Sequence, residues 1–448
     1  MASSHFPRIP DSYDRLSELP DSLILSILSL LPSTRDVVRT TILSKRWKDL
    51  WTTVPCLVFR NENPEFICGV VAQWRGAKLL RFHLRCWDSL STSSDVESWL
   101  LFAVEKQVEE LTLYTNYIPY YRPQSLYSCS SITTLHLQYC SLEIEGSVQL
   151  NQLETLSILA PFPSWADGIN KILLGAPRLE NMSLSSVEID GNFNITSRSL
   201  ETLIIRYAKI KGVITISAPN LLTLRIHVYT YNGASFLCNV PSLTEACFEK
   251  YYGADDRHFD PFYQLLRSVC HVKKVTLTLL NIKLLLSLKK KKDMVVLFPN
   301  AEVLKHTSLT NAEVLKHTSL SNHVGLLDVL DLLELFPKLK MLSFHRLQQG
   351  LKDFNTINAE TAFPISSLIH LKRVDMTWDA DDPSIIPFIE ILLENAPSLD
   401  EMVFRLRKCR DARKVLLMVE EKVRGMPRSS PTAKVIILEK LSINQTRL

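Results

Sequence analysis

Apolar positions along this chain follow two periods, and the change between them divides it. Over residues 16–51 the spacing is helical. In "SLILSILSLLP", Leu23, Ile24, Ile27, Leu28 and Leu31 recur at steps of three and four and predict one apolar helix face. Pro20 and Asp21 stand where a helix start is expected, and Pro32 closes the segment. Leu25 and Leu30 fall off that face, so the helix needs cover on more than one side. "STRDVVRTTIL" follows, with Val38 and Ile42 four apart. "LSKRWKDLW" then sets Leu43, Trp47, Leu50 and Trp51 at i, i+4, i+7 and i+8, with Lys45, Arg46 and Lys48 at other angles. Three short helices cannot bury this much apolar surface against one another. The pattern predicts a partner that covers them.

From about residue 110 the period becomes two. A phrase recurs as "APRLENMSL", "APNLLTLRI", "VPSLTEACF", "FPNAEVLKH", "FPKLKMLSF" and "APSLDEMVF", with prolines at Pro177, Pro219, Pro241, Pro299, Pro337 and Pro397. "SITTLHL", "QLETLSI" and "SLETLII" repeat the core without the proline. Strands are predicted to start near 111, 135, 156, 182, 203, 224, 246 and 275, at intervals of about 21 to 29 residues, the period of leucine-rich repeats. Alternation turns every second side chain inward, and one unit cannot bury its own leucines, so units must stack. The proline ends the preceding helix or turn and makes the chain run extended into the strand. The asparagine of tighter repeats is mostly missing, and the segments between strands vary from the short "SVQLNQLETLSI" to the helical "VGLLDVLDLLELF". The expectation is an irregular solenoid.

"NAEVLKHTSL" breaks the period, because it occurs at residues 300–309 and again, unchanged, at 311–320. Removing one eleven-residue copy brings the interval from the strand near 303 to that near 342 from about 39 down to about 28, like its neighbours. One copy is therefore expected to fill the strand slot and the other to bulge. Near the C-terminus, "SLIHLKRVDMTWDADDPSIIPFIEILLENAPSLDEMVFRLRK" reads strand, acidic loop, helix, strand. Asp382 can cap the helix, Pro383 can take its first position, and Ile385, Ile389, Leu392 and Leu393 line its core face. Asp379, Asp381 and Asp382 do not make a calcium loop, because Pro383 and Ser384 occupy a ligand position and the glycine position. "RKVLLMVEEKVRGMPRSSPTAKVIIL" adds a helix, a polar turn and a last strand.

At 448 residues the chain exceeds one compact core, and 46% hydrophobic with 22% charged residues fits a folded protein. A net charge of +4 is small for this length and argues against a nucleic-acid binder, despite the basic and aromatic residues around Trp47. Nine scattered cysteines without a C-x-x-C pair suggest neither a disulfide framework nor a zinc site, and read as buried thiols. The N-terminus lacks a signal-peptide pattern and no apolar run is long enough to span a membrane, so the expected location is cytoplasmic and/or nuclear. No P-loop, G-x-S-x-G or H-E-x-x-H occurs, and only 12 glycines are available for phosphate-cradling loops, so neither enzymatic activity nor a cofactor is expected. The four lysines at 289–292 read as a solvated loop ahead of a nuclear signal.

Residues 14–59 resemble an F-box. The likeness rests on Leu19-Pro20, the leucine-rich helix, and "LSKRW" followed by Leu50-Trp51, with "PSTRDVV" about one residue longer than usual. "ILLENAPSLDEM" and "MPRSSPTAKVII" resemble the FBD domain of plant F-box proteins, and the order of parts is that of the plant F-box/FBD/leucine-rich-repeat family. The resemblance implies an α/β repeat protein with a three-helix F-box at 12–60, degenerate leucine-rich repeats at 61–365, and an α/β FBD region at 366–440. It implies docking on the SKP adaptor, and through it on a cullin–RING ligase. The docking residues would be Leu19, Pro20, Leu23, Ile24, Ile27, Leu28, Leu31, Pro32, Leu43, Trp47, Leu50 and Trp51. Leu28 and Val38 read equally as ordinary core, whereas Leu19, Pro20 and Trp47 read as partner contacts. The chain would be a non-catalytic substrate receptor whose repeat surface binds an unknown protein, with no nucleic-acid or membrane partner. The alternative is a binding scaffold whose F-box no longer engages the ligase.

Overall fold

The computed structural model describes residues 19–86, 91–115, 121–160, 165–231, 235–250, 259–278, 282, 285–289, 297–307, 326–345, 368–378, 385–406 and 412–439. Positions 14–18, the lysines at 290–292, the second copy at 311–320 and the acidic loop at 379–384 lie outside them. The chain divides into two compact units, Met1–Leu156 with Pro161–Ala176, and Ser157–Ala160 with Pro177–Leu448.

The first unit starts with three short helices: α1 (Asp21–Ser29), α2 (Thr34–Arg39) and α3 (Lys45–Leu50). Strands β1 (Cys56–Arg60), β2 (Arg81–Arg85), β3 (Glu110–Tyr114) and β4 (Thr134–Gln138) then form a parallel ladder in chain order. Helices α4 (Pro64–Gln73) and α5 (Ser93–Glu105) cross between strands. Each has the start its sequence calls for. Asn63 accepts from the Phe66 amide ahead of α4, whose first residue is proline, and Thr92 and Asp95 make a reciprocal capping box on α5. The residues of β5 (Thr155–Leu159) divide between the units, and α6 (Trp165–Gly175) belongs to the first.

In the second unit a parallel ladder runs through β6 (Asn181–Ser185), β9 (Thr202–Ile210), β11 (Thr223–Tyr231), β13 (Glu245–Lys250), β14 (Lys274–Thr278), β15 (Val303–Thr307) and β16 (Met341–His345). It continues through β17 (Arg373–Trp378), β18 (Glu401–Leu406) and β19 (Lys434–Glu439), so the C-terminal strands extend the same sheet. The short β7 (Glu188–Ile189) pairs with β9, while β8 (Phe193–Thr196), β10 (Val213–Ser217) and β12 (Ser235–Asn239) form a small parallel sheet. The helices here are α7 (Phe259–Ser268), α8 (Leu326–Leu333), α9 (Ile385–Asn395) and α10 (Ala412–Arg424).

All eight strands expected from the repeat phrase are present, each within a residue of its expected start. Leu111 and Leu113, Leu135 and Leu137, and their counterparts in later strands are buried, as alternation requires. The proline acts more specifically than a helix stop. Pro219, Pro241, Pro299, Pro337 and Pro397 each occupy the second position of a β-turn. The fourth residue of that turn donates its amide to the first residue's carbonyl, as Leu221 does to Ala218 at 3.1 Å and Leu399 to Ala396 at 3.2 Å. That fourth residue is buried each time, so the turn drops an apolar side chain into the core just before the strand.

Two rungs, β1 and β2, precede the expected onset near 110. The first occupies the final five residues of the expected 12–60 segment. The first copy of the duplicated decapeptide supplies β15, and β15 pairs directly with β16, Val303 opposite Met341.

Candidate functional site

The N-terminal helices hold the densest exposed apolar surface among the described residues. Ser33 accepts from the Asp36 amide at 3.2 Å and starts α2. Ser44 takes an extended conformation (φ −162°, ψ 169°) at the N-cap of α3. This break corrects one expectation: Leu43 lies before the helix rather than on the face of Trp47, and stands out into solvent.

The structure divides the twelve expected docking residues. Ile24, Leu28, Trp47 and Trp51 are buried within the chain, with Trp47 and Trp51 only 4% and 6% exposed, so they pack into the helical subdomain. Leu23, Ile27 and Leu43 are exposed, as are Pro20 and Pro32, while Leu19, Leu31 and Leu50 are half-buried. Two residues outside the expected set complete the surface: Leu30 and Ile42, 85% and 87% exposed. Leu30 was legible as a leucine off the buried face of α1, and Ile42 only from the turn of Thr40–Ile42, which the helical period does not predict.

Arg46, off the apolar face by its spacing, is engaged within the helices. Its Nε donates to Asp21 Oδ1 at 2.8 Å and its guanidinium also reaches the Leu19 carbonyl, tying α3 to the start of α1. Lys45 and Lys48 remain exposed around the patch.

These helices are also joined to the first rung. The Val58 amide on the open edge of β1 donates to Thr34 Oγ1 at 2.7 Å, so α2 satisfies an edge that would otherwise lack a partner. Arg35 donates to Glu62 at 2.7 Å and lies 4.6 Å from the Phe66 ring centre. The Trp74 indole donates to the Val54 carbonyl at 2.8 Å.

Among the described residues, no group of three or more His, Cys, Asp or Glu is placed to hold a metal ion. The eight described cysteines are free thiols, and burial pushes Cys140 and Cys247 up to about 12 and Cys238 up to about 11, far from a reactive thiolate. An open cleft of about 670 Å³ lies by β10, β12 and α7, bordered by Thr215, Leu237, Asn239 and Arg267. Among the described residues no helix is long and apolar enough to cross a membrane.

Comparison with known proteins matches both parts. The F-box domain family matches residues 16–59, and a family described as FBD-associated F-box protein At5g56370, LRR repeats, matches 96–240. The chain is 31% identical over 251 residues to F-box/LRR-repeat protein At3g26922 of Arabidopsis thaliana, covering 52% of this chain and 81% of that protein. It is 32% identical over 246 residues to the Arabidopsis putative F-box protein At1g49610, covering 53% of this chain and 61% of that protein. With F-box/FBD/LRR-repeat protein At5g56420, also from Arabidopsis, it is 30% identical over 301 residues, covering 60% and 66%. The match thus spans about two thirds or less of the last two relatives.

Proposed function

The chain belongs to the plant F-box/FBD/leucine-rich-repeat family, and from that premise we propose that it is the substrate-recruiting subunit of an SKP–cullin–F-box ubiquitin ligase. The helices α1 to α3 dock the SKP adaptor, the repeats bind the protein to be ubiquitinated, and catalysis belongs to the partner subunits, with this chain supplying proximity. It works in the cytoplasm, the nucleus or both.

The observation that carries this reading is the concentration of large exposed apolar side chains within residues 23–43. Leu23, Ile27 and Leu30 before α2 and Ile42 and Leu43 after it are between 40% and 87% exposed. Such a patch on a small helical subdomain marks a protein interface, and its core is a place where aromatic or aliphatic anchors dominate affinity. The buried Trp47 and Trp51 support it from behind. Thr34, Arg35 and Trp74 hold the docking helices to the first rungs, so a target held there keeps a set distance from the ligase core.

Co-purification of the full chain with a plant SKP adaptor tests the reading. The wild type should retain the adaptor, and Leu23→Asp with Ile27→Asp should lose it while the chain stays folded. A wild type that never retains the adaptor would instead mark a scaffold outside the ligase.

A further inference from the structure

The last rung of the second unit ends on an open edge. The strands from β13 to β18 each have a parallel neighbour on both sides, whereas β19 pairs with β18 alone among the described residues. The Lys434 amide donates to the Asp400 carbonyl at 2.9 Å, so the backbone groups of Lys434, Ile436 and Leu438 turn toward β18. Those of Val435 and Ile437 face the open side. Proteins blunt such an edge with a proline, a bulge, a central charge or a covering element. In the first unit α2 covers β1 through Thr34. The strand "KVIILE" of β19 holds no proline, its register with β18 is unbroken, and its charges stand only at the two end positions.

Its side chains are apolar on both faces. Val435 and Ile437 stand in register with Met402 and Phe404, which are fully buried, yet are themselves only half-buried. On the opposite face Ile436 is half-buried and Leu438 is 44% exposed. Helix α10, which packs against β19, leaves Leu417 and Met418 60% and 47% exposed. An exposed edge with four apolar residues in a row and outward amides is a template for one more strand.

We infer that β19 pairs antiparallel with β19 of a second copy of this chain, joining the two sheets across a two-fold axis. Residues opposite each other in such a pair share a face, so the axis passes through a residue rather than between two. Centred on Ile436, it sets Val435 against Ile437 of the second copy, and Ile437 against Val435, on the core face. The outward amides and carbonyls of these residues then bond reciprocally. On the other face Ile436 meets its own symmetry mate, and Lys434 meets Leu438. Each apolar residue of "VIIL" thus faces an apolar side chain or a lysine stem, and no two like charges are opposed. Centred on Ile437, the axis would instead set Val435 against Glu439. The strand is its own complement, which selects a second copy over an unrelated strand. The inference goes beyond the receptor reading and does not rest on it.

Sedimentation equilibrium of the full chain over a range of concentrations tests it, with the wild type beside Leu438→Lys and Leu438→Glu. The wild type should approach the mass of two chains as concentration rises. Leu438 is exposed, so both variants keep the fold. Leu438→Lys sets a second cation against Lys434 at both ends of the pair and should weaken dimerisation by about tenfold or more. Leu438→Glu offers Lys434 a carboxylate there. It should dimerise at least about threefold more tightly than Leu438→Lys, and the difference should shrink as salt is raised. The Cα atoms of a non-hydrogen-bonded antiparallel pair lie about 4.5 Å apart, within disulfide reach, so Ile436→Cys should give a covalent dimer on mild oxidation that the wild type does not. A wild type that stays monomeric at every concentration overturns the inference, whether the chain itself or another protein then covers β19. Dimerisation that Leu438→Lys leaves intact, or that Leu438→Glu weakens as much, overturns it too, as does an Ile436→Cys protein that fails to cross-link.

Discussion

Arg46 donates from Nε to Asp21 at 2.8 Å and reaches the Leu19 carbonyl beyond it, so the third helix holds the residues that open the first. The pair is exposed, and such pairs contribute about 1 kcal/mol or less to folding. Arg46→Ala should therefore shift thermal unfolding only slightly. Adaptor capture should fall by more than that shift explains, because Leu19 and Pro20 lose their anchor. Arg46→Lys keeps the charge without the planar fork and should restore capture only in part. Full capture by the alanine variant in a quantitative pull-down would remove the positioning role.

Trp47 and Leu23 separate folding from docking. Trp47 is buried, so Trp47→Ala leaves a cavity and should cost about 3 kcal/mol or more in urea denaturation. Its effect on adaptor binding should follow the fraction unfolded. Leu23 is half exposed, so Leu23→Asp should cost far less stability than Trp47→Ala and still abolish capture. A folded Trp47→Ala protein that fails to bind would return the tryptophan to the interface.

The strands were legible because their signal is local. Leu135 and Leu137, or Leu203 and Leu224 with their neighbours, alternate in sequence as they do in the ladder. β1 and β2 escaped that reading because "CLVFR" and "RFHLR" lack the proline turn and place Phe59 and Phe82 where leucine marks later rungs. The exposure of the expected docking residues was legible only in part. Helical spacing finds an apolar face but cannot tell whether the chain's own α3 or a partner covers it, which is why Trp47 and Ile24 lay with Leu23 until packing divided them. Register across β1 to β4 is wholly non-local and has no linear signature.

Gly168 and Gly175 stand seven apart on α6, on one side of the helix. A β-carbon at Gly168 would strike the Leu142 carbonyl oxygen, and one at Gly175 the Val148 carbonyl oxygen. Gly175 also accepts the Leu150 amide at 2.9 Å, so the helix cannot back away without losing that bond. Alanine at either position should cost about 1–3 kcal/mol. Gly69 on α4 has open space around its missing β-carbon, and Gly69→Ala should stabilise by about 0.5–1 kcal/mol through helix propensity. Opposite signs in one set of denaturation curves are the expected result, and stabilisation by Gly175→Ala would contradict the close approach.

His83 and His227 give the fold a pH dependence of defined sign. Burial first, then Arg60, Arg85, His136 and Arg81 around the one and Arg206 near the other, hold both at about 4. Glu249 lies 3.4 Å from His227 Nδ1 and favours protonation, but burial outweighs it. In the unfolded chain both titrate near 6.5. Between about 6.5 and 4 the unfolded chain therefore binds protons that the folded one refuses. Their stabilisation is complete above about pH 6.5, declines as pH falls, and changes no further below about 4. Urea midpoints should drop between pH 7 and pH 5, and His83→Gln with His227→Gln should flatten that slope. An unchanged slope in the double variant would assign the acid sensitivity elsewhere.

The repeated decapeptide yields the last prediction. Its first copy provides Val303 and Leu304 to β15, where Leu304 is buried and Val303 pairs with Met341 of the next rung. The Lys340 and Met341 amides both donate to the Glu302 carbonyl, at 2.8 and 2.9 Å, so the step from β15 to β16 is already closed by backbone bonds. Among the described residues the ladder passes from β15 directly to β16. Deleting residues 311–321 shortens the connection by eleven residues, and loop closure depends on length only as a logarithm, so the change should be worth well under about 1 kcal/mol. Soluble yield, the urea midpoint and adaptor capture should all match the full chain. Replacing Leu304 by aspartate in the first copy should instead collapse soluble yield, because a buried unpaired carboxylate has no compensating partner in that rung. If the deletion collapsed yield and the Leu304 variant did not, the second copy rather than the first would be the strand that holds the ladder together.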